Sequence, residues 1–524
     1  MHIVQVAAEN DALPGGKVGG LGDVIRDLPI GLAQAGHEVT VITPGYGVFA
    51  ATEGARELVT VTVEFCSVAE TLSIFEVVPP RQTSGVRYLV LEHLIFSASG
   101  AGRIYVNDDA GPFATDAHKF ALFGIAVAQA LKESVIAPWD VLHCHDWHTA
   151  VLLLLRACDP RYSILKEKPA VYTIHNLSLQ GVRPLRGVAS SLESWLPGLP
   201  YPHEAIVDPH HSDCVNLMRC GINLADRVHT VSPTYAQEIL RPSDWSEGIV
   251  GGEGLEQDLQ QAEHAGHLFG ILNGCEYDHK PRRPKVGGVW KLAEQTLDDW
   301  ITTGQGNPRS HYFALKRMVQ IKREQNGVRP CLVSIGRLTA QKLYLLVQNY
   351  QDRPVMDQLL EQLRSGIFIM LGSGDPFYEQ FFLKAMEKHG NFVFLNGYSE
   401  SLSSALYSFG DLFVMPSIYE PCGISQMLAM RAGVPCLVHQ VGGLNDTVSN
   451  GQNGFSFGGK SLQEKQLNLL TTLDDTLMLF REQPEQWKKV SRAAAKARFT
   501  WDGSVQQYLA QLYRSDSPGA GASP

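Results

Sequence analysis

The first stretch that could do chemistry is Lys17-Val18-Gly19-Gly20-Leu21-Gly22-Asp23. It follows His2–Ala8, an apolar run that reads as a buried strand, and it opens a helix. Glycines there let backbone N–H groups approach an anion, while the helix start adds partial positive charge and Lys17 a full one. The other reading is a glycine-rich turn with a solvated lysine. The spacing is not Gly-x-Gly-x-x-Gly, which disfavours a nicotinamide-dependent dehydrogenase. His143-Cys144-His145-Asp146-Trp147-His148 ends another predicted strand, and in open α/β sheets ligands collect at those carboxyl ends. A substrate-contacting histidine, a structural turn and a zinc site are the competing readings. His143 and His145 share one strand face with His148 already past it, which suits zinc poorly. His175-Asn176 again places polar groups just beyond a strand.

In the second half, Arg337 and Lys342 lie five positions apart in a strand-to-helix loop. They are close enough to hold one diphosphate, Arg by its planar fork and Lys as a point charge; two solvated surface cations are the alternative. Gly372-Ser373-Gly374-Asp375-Pro376 ends the next strand and could run close to a ligand. Pro416–Gln426 contains Glu420, Cys422, Gly423 and Ser425. A carboxylate there can accept hydrogen bonds from sugar hydroxyls, and the N–H groups near Gly423–Ser425 can hold a phosphate. Alternatively, Glu420 is an acid favoured by the helix dipole. Val441-Gly442-Gly443-Leu444 adds a glycine pair after the following strand.

These clusters need strands to aim them, and short apolar runs do alternate with helical stretches along the chain, the mark of doubly wound α/β architecture. Strands are predicted at Glu38–Thr43, Val141–Cys144, Ala170–Thr173, Cys331–Ile335, Ile367–Leu371, Phe392–Leu395, Leu412–Met415 and Pro435–His439. Helices are predicted at Asp23–Ala35, His118–Glu133, Thr149–Ala157 and Ser310–Gln325. Ser232-Pro233 is a helix start, with Ser as cap and Pro in the first turn. Pro281–Gly306 reads as irregular, and the pattern restarts near Phe269. Two α/β units therefore fit better than one continuous sheet.

Composition sets the outer bounds. Lys+Arg 44 against Asp+Glu 54 leaves a net charge of −10, which argues against a general nucleic-acid binder. No apolar run approaches the roughly 18 residues that span a bilayer, and the N-terminus lacks a signal-peptide pattern. Nine cysteines, an odd number without Cys-x-x-Cys, favour free thiols in a reducing compartment. A soluble cytoplasmic protein is the expectation.

Taken together, the motifs resemble the bacterial glycogen synthases and plant starch synthases. The matching pieces are Lys17–Val24, His143–His148, Thr173–Asn176, Ala225–Ile239, Leu272-Asn273-Gly274, Arg337–Lys342, Gly372–Pro376, Gly397-Tyr398, Pro416–Gln426 and Gly442–Thr447. They occur in the family's order from residue 3 to about 505. The resemblance implies a GT-B fold, with two Rossmann-like domains facing across a deep cleft. The corresponding divisions are residues 1–268, residues 269–497, a helix over 498–514 crossing back to the first domain, and a disordered tail over 515–524. It implies ADP-glucose as donor, the non-reducing end of an α-1,4-glucan as acceptor, retention of anomeric configuration, and no metal or other cofactor. The absence of Asp-x-Asp agrees with a metal-free reaction.

By the same resemblance, Arg337 and Lys342 neutralise the leaving diphosphate and Glu420 contacts the glucosyl hydroxyls. His145 sits beside the glucosyl ring, its backbone carbonyl near the reacting carbon. Lys17, Gly19, Gly20, Asn273, Gly374, Tyr398, Cys422, Gly423 and Ser425 are donor-binding candidates, Tyr398 at the nucleotide base. Asp23, Asp116, His175 and Asn176 are candidates for contact with donor sugar or acceptor. The chain departs from the family pattern at Leu343, where glycine usually follows Gln-Lys, and at Leu179, where tyrosine is common. It departs also around Asp116–Phe120 and at His439–Val441.

Overall fold

The computed structural model describes residues 1–106, 108, 113–136, 138–277, 281–324 and 329–514. The chain divides into two compact units. The first comprises Met1–Pro242, Gly251–Gly274 and the chain from Trp501 onward; the second comprises Ser243–Val250 and Cys275–Thr500.

A nine-stranded sheet organises the first unit. Its strands run in the order Leu268–Gly270, Arg227–Thr230, Ala170–Ile174, Val141–His145, His2–Val6, Glu38–Pro44, Val86–Glu92, Val68–Val77 and Arg56–Phe65. The seven from Leu268–Gly270 through Val86–Glu92 are parallel. Parallel strands are buried on both faces and so read as continuous apolar runs; Ile3, Val4, Val6, Leu142, Val171 and Ile174 are fully enclosed. Helix Ala150–Cys158 is buried nearly all round. The last two strands form an antiparallel hairpin that the sequence pattern did not announce. Its two-residue turn, Cys66-Ser67, has φ of 53° and 61°, a backbone whose twist matches the flanking strands.

The second unit holds a six-stranded parallel sheet, ordered Phe392–Asn396, Ile367–Gly372, Cys331–Ile335, Leu412–Met415, Cys436–His439 and Phe455–Phe457. Its core is built on Leu332, Val333, Phe368, Ile369, Phe413, Val414 and Leu437. Leu343, where the family has glycine, is buried in this core.

Three expectations change. Pro281–Gly306 is not irregular: Val286–Thr303 is a helix. Its buried Val289, Trp290, Ala293, Leu297 and Trp300 recur at three- and four-residue steps, a period masked in the sequence by flanking Pro and Gly. The pattern does not restart at Phe269, because Leu268–Gly270 pairs with Arg227–Thr230 as an edge strand of the first sheet. The first unit therefore runs on to Gly274 and resumes at Trp501. There Trp501 Nε1 donates to Asp27 Oδ2 at 3.2 Å and Ser504 Oγ to the Leu272 carbonyl at 2.6 Å. The tail expected over 515–524 lies outside the described residues. No helix among the described residues is long and apolar enough to cross a membrane, and all nine cysteines are free thiols.

Candidate active site

In each sheet the strand order reverses at one point, and the loops leaving the carboxyl ends of the two strands there form a ready-made crevice. In the second unit that point lies between Cys331–Ile335 and Leu412–Met415. The loop after the first strand carries Arg337 and leads into helix Ala340–Val347, whose first turn carries Lys342; the loop after the second strand carries Glu420. The Lys342 ammonium ion-pairs with Glu420 Oε2. Glu420 is 5 % exposed and also accepts from Ser417 Oγ at 3.0 Å. The Ser417 carbonyl in turn accepts from His439 Nδ1 at 2.9 Å, a ring held neutral by burial, which pushes its pKa down to about 4. Arg337 stands exposed with no hydrogen bond or ion pair among the described residues. The acid and cation expected to hold sugar and diphosphate are thus partners of one another, with a second cation beside them in sequence.

Backbone contacts brace these loops. Leu338 N donates to Ser373 O at 3.0 Å and Asp375 N to Leu338 O at 2.9 Å. At Gly374 a Cβ would stand 2.5 Å from Leu338 O, so only glycine permits that approach. Gly443 N donates to Glu420 O at 3.0 Å, and a Cβ at Gly443 would strike the Cys422 backbone. The glycine pair after the next strand therefore seats the Glu420 loop. Cys422 is buried, Gly423 has φ +73°, and Gln426 Nε2 donates to the Gly423 carbonyl at 2.8 Å. Ser425 starts a helix and accepts from Tyr407 OH at 3.0 Å. Tyr398 presents its ring to solvent, 68 % exposed, after the edge strand Phe392–Asn396.

In the first unit the order reverses between His2–Val6 and Val141–His145. The loop after His2–Val6 carries Lys17, Gly19 and Gly20, with Gly20 opening helix Gly20–Gln34. Here the structure corrects the anion reading. The Val18 and Gly19 N–H groups are already taken by Glu9 Oε2, at 2.8 and 2.7 Å, while Glu9 Oε1 accepts from Tyr105 OH at 2.8 Å. The anion at this helix start is the protein's own carboxylate. Glu9 was not among the candidates; its partners lie 9, 10 and 96 residues away, so no local spacing marks it. Lys17 Nζ is 2.5 Å from Asp23 Oδ1 and 3.8 Å from Asp11. Burial opposes its charge, but those carboxylates outweigh burial and hold the ammonium above its ordinary range.

Beyond Val141–His145, the His145 and His175 rings meet at 3.0 Å, Nδ1 to Nε2, leaving His145 Nε2 buried without a partner among the described residues. The His145 carbonyl accepts from Thr149 Oγ1 at 3.2 Å. Asp146 has φ 55° and ψ 177°, a region essentially reserved for glycine that costs about 1–3 kcal/mol. Its carboxylate accepts from His175 N at 2.7 Å, and burial pushes its pKa up to about 7. Asn176 Oδ1 accepts from the Ser178 backbone and hydroxyl at 3.1 and 2.9 Å, shaping the turn. Asn273, near the edge strand, keeps a buried Oδ1 without a partner among the described residues.

Asp116 fits its expected sugar contact poorly. Its oxygens accept from Lys119 Nζ at 2.8 Å and Val106 N at 3.1 Å, and Lys119 reaches the Ile104 carbonyl at 2.5 Å. This buried pair ties residues 104–106 to helix Ala114–Lys132. The zinc alternative finds no support: no group of three or more His, Cys, Asp or Glu among the described residues could hold a metal ion.

Two Rossmann-like units with charged loops at their switch points define a GT-B glycosyltransferase. Residues 2–261 match the starch synthase catalytic domain and residues 320–493 the group 1 glycosyl transferases. The chain is 34 % identical over 537 residues to the glycogen synthase of Streptococcus sanguinis (strain SK36), covering 98 % of this chain and 100 % of that one. The Streptococcus gordonii glycogen synthase is also 34 % identical, over 536 residues, with the same coverage. Among solved structures, the catalytic domain of starch synthase IV from Arabidopsis thaliana, bound to ADP and acarbose, matches with TM-score 0.74, 28 % identity and 98 % coverage of both chains. Sucrose-phosphate synthase from Thermosynechococcus elongatus, at TM-score 0.53 and 15 % identity over 98 % of each chain, shares the fold. The chain belongs to the glycogen and starch synthase family and is a glucosyltransferase.

Proposed function

We propose that the chain transfers glucose from ADP-glucose to the non-reducing end of an α-1,4-glucan, with retention of configuration and without a metal. The observation that carries this reading is the Lys342–Glu420 pair at the switch point of the second sheet, with Arg337 in the loop that leads into the Lys342 helix. Breaking the bond between the anomeric carbon and the phosphate oxygen releases a diphosphate whose growing charge must be met. Arg337 and Lys342 meet it with fixed cations, the task a divalent ion performs elsewhere. Glu420 accepts from glucosyl hydroxyls, and Tyr398 offers its ring to the base. Gly374, Cys422, Gly423 and Ser425 line the remainder of the donor on the second unit. In the first unit, Lys17, Gly20 and Asn273 are offered to the donor, Gly19 having given its N–H to Glu9, and His145, with Asp23, His175 and Asn176, serves the glucosyl group. The acceptor hydroxyl attacks on the face from which ADP leaves; the new glycosidic bond forms as the hydroxyl proton passes to the departing phosphate.

The ADP bound in the Arabidopsis starch synthase IV structure supports adenine over uracil. Nine free thiols fit action in the cytoplasm. Initial rates with ADP-glucose and with UDP-glucose, each with glycogen and each with and without EDTA, test the proposal. Transfer from ADP-glucose, faster than from UDP-glucose and insensitive to chelation, is the expected result. Faster transfer from UDP-glucose would overturn the donor assignment, and no transfer from either would overturn the reading.

A further inference from the structure

Histidine is out of place in the middle of a parallel sheet, yet His143, His145 and His229 are all fully enclosed there. Burial holds all three rings neutral, that of His229 with a pKa lowered to about 3. A neutral ring has one N–H and one lone pair, and each needs its own partner. The proton positions follow from one end of the cluster. His229 Nε2 faces the Ile271 carbonyl at 3.4 Å. That oxygen can only accept, so the proton is on Nε2 and the lone pair on Nδ1. Two hydroxyls face Nδ1, Thr173 at 2.9 Å and Tyr508 at 3.4 Å; Thr173, the nearer and at full hydrogen-bond distance from a bare lone pair, donates to it. Having given its only proton, Thr173 Oγ1 accepts from His143 Nε2 at 2.7 Å. His143 is thereby protonated on Nε2, and its Nδ1 requires a donor. The donor is the Tyr513 hydroxyl, 2.7 Å away.

The His143 ring lies against His145, with centroids 4.1 Å apart and planes inclined by 32°. His175 holds His145 through Nδ1, which leaves Nε2 as its one unpartnered nitrogen. We propose that Tyr513 is a positioning residue for glucosyl transfer: with the His143 tautomer set through Thr173, the Tyr513 hydroxyl, donating to Nδ1, holds that ring in the orientation that keeps His145 aimed at a substrate hydroxyl. The proposal rests on the reading of His145 as the residue beside the glucosyl group. It gives the Tyr513 hydroxyl, some 370 residues from His143 in sequence, a part in positioning, while the rest of that turn only packs.

Tyr513→Phe tests it, because the ring and its edge contact with His143 (centroids 5.7 Å, 72°) remain and only the hydroxyl goes. Two readouts are needed: imidazole 15N NMR of histidine-labelled protein, with the His143 signal assigned from His143→Asn, and initial-rate kinetics with ADP-glucose and glycogen. In the unsubstituted protein His143 is expected in the Nε2–H form. In Tyr513→Phe that form is kept but the His143 Nδ1 resonance moves as its hydrogen bond is lost, and kcat falls about tenfold, the scale of one misplaced buried hydrogen bond, with KM for the donor within about twofold. Thr173→Val removes the relay hydroxyl from the other side and is expected to disturb the same signal. Leu512→Ala, a fully buried neighbour, lowers stability without touching the hydroxyl and keeps kcat. The proposal is overturned if Tyr513→Phe leaves the His143 Nδ1 resonance where it stands in the unsubstituted protein. It is overturned equally if kcat is unchanged, or falls no more than in a Leu512→Ala protein of matched stability. Full activity in His145→Ala would instead refute the upstream reading, and the His143 NMR measurement stands apart from both.

Discussion

Replacing Glu9 separates a carboxylate that merely packs from one that holds the Lys17 loop in place. Glu9 is 4 % exposed and accepts three hydrogen bonds, from Val18 N, Gly19 N and Tyr105 OH. Hydrogen bonds to a charged acceptor contribute about 1.5–3 kcal/mol each. Val18 lies at the surface, so water can reach the freed N–H groups of Glu9→Ala and reduce the loss to about 2–4 kcal/mol in total. Glu9→Gln keeps the shape and one accepting oxygen, which can still serve both backbone donors, and should lose only about 1 kcal/mol. Urea unfolding of the three proteins measures this order. The kinetic consequence is sharper. If Glu9 acts by shaping the loop that presents Lys17, then Glu9→Ala and Lys17→Ala remove overlapping contributions. Each should lower kcat/KM for the donor by about tenfold or more, and the double variant should be little worse than the poorer single one. Additive losses in that cycle would refute the coupling, and wild-type kcat/KM in Glu9→Ala would refute the role altogether.

Lys342→Ala and Arg337→Ala should each reduce turnover by about 10²–10³-fold in a glycogen incorporation assay. They should differ in stability: Lys342→Ala strands the buried Glu420 and loses about 1–3 kcal/mol, whereas the unpaired Arg337 leaves thermal melting unchanged. Stability should fall as the pH drops below about 6.5. The buried His175 and His229 titrate near 3 when folded, so the unfolded chain takes up protons first. Asp146 works in the opposite direction. Its folded pKa of about 7 means that its contribution is present below about pH 4 and is lost as the pH rises through 7. Relative to the unsubstituted protein, Asp146→Asn should therefore gain up to a few kcal/mol between pH 4 and 8 in thermal melts; a flat difference would contradict this. Activity should survive excess EDTA, and its loss and restoration by a divalent ion would reopen metal chemistry.

Much was decided by the sequence itself. Parallel strands enclosed on both faces are largely apolar, so Ala170–Thr173 or Leu412–Met415 can be located without coordinates. The polar and glycine-bearing loops that follow such strands mark carboxyl ends, which brought Lys17, His145, Arg337, Lys342 and Glu420 into view. Helix Val286–Thr303 was hidden because its apolar period is flanked by Gly and Pro, and those flanks outweighed a stripe of only five buried apolar residues. Tertiary structure alone decided which groups are partners. Sequence suggested that the N–H groups beside Lys17 await an anion; the fold fills them with Glu9, because the turn from residue 9 to residue 19 doubles back on itself. Sequence offered Asp116 to a sugar; burial forces it onto Lys119, since neither charge can be left alone in the interior. Sequence set His143 and His145 two positions apart, and only the approach of Thr173 and Tyr513 gives each His143 nitrogen its partner. Local pattern records which residues are inside, because burial follows periodicity along one element. It does not record pairing, because a hydrogen bond between residues hundreds of positions apart depends on how separate elements are brought together.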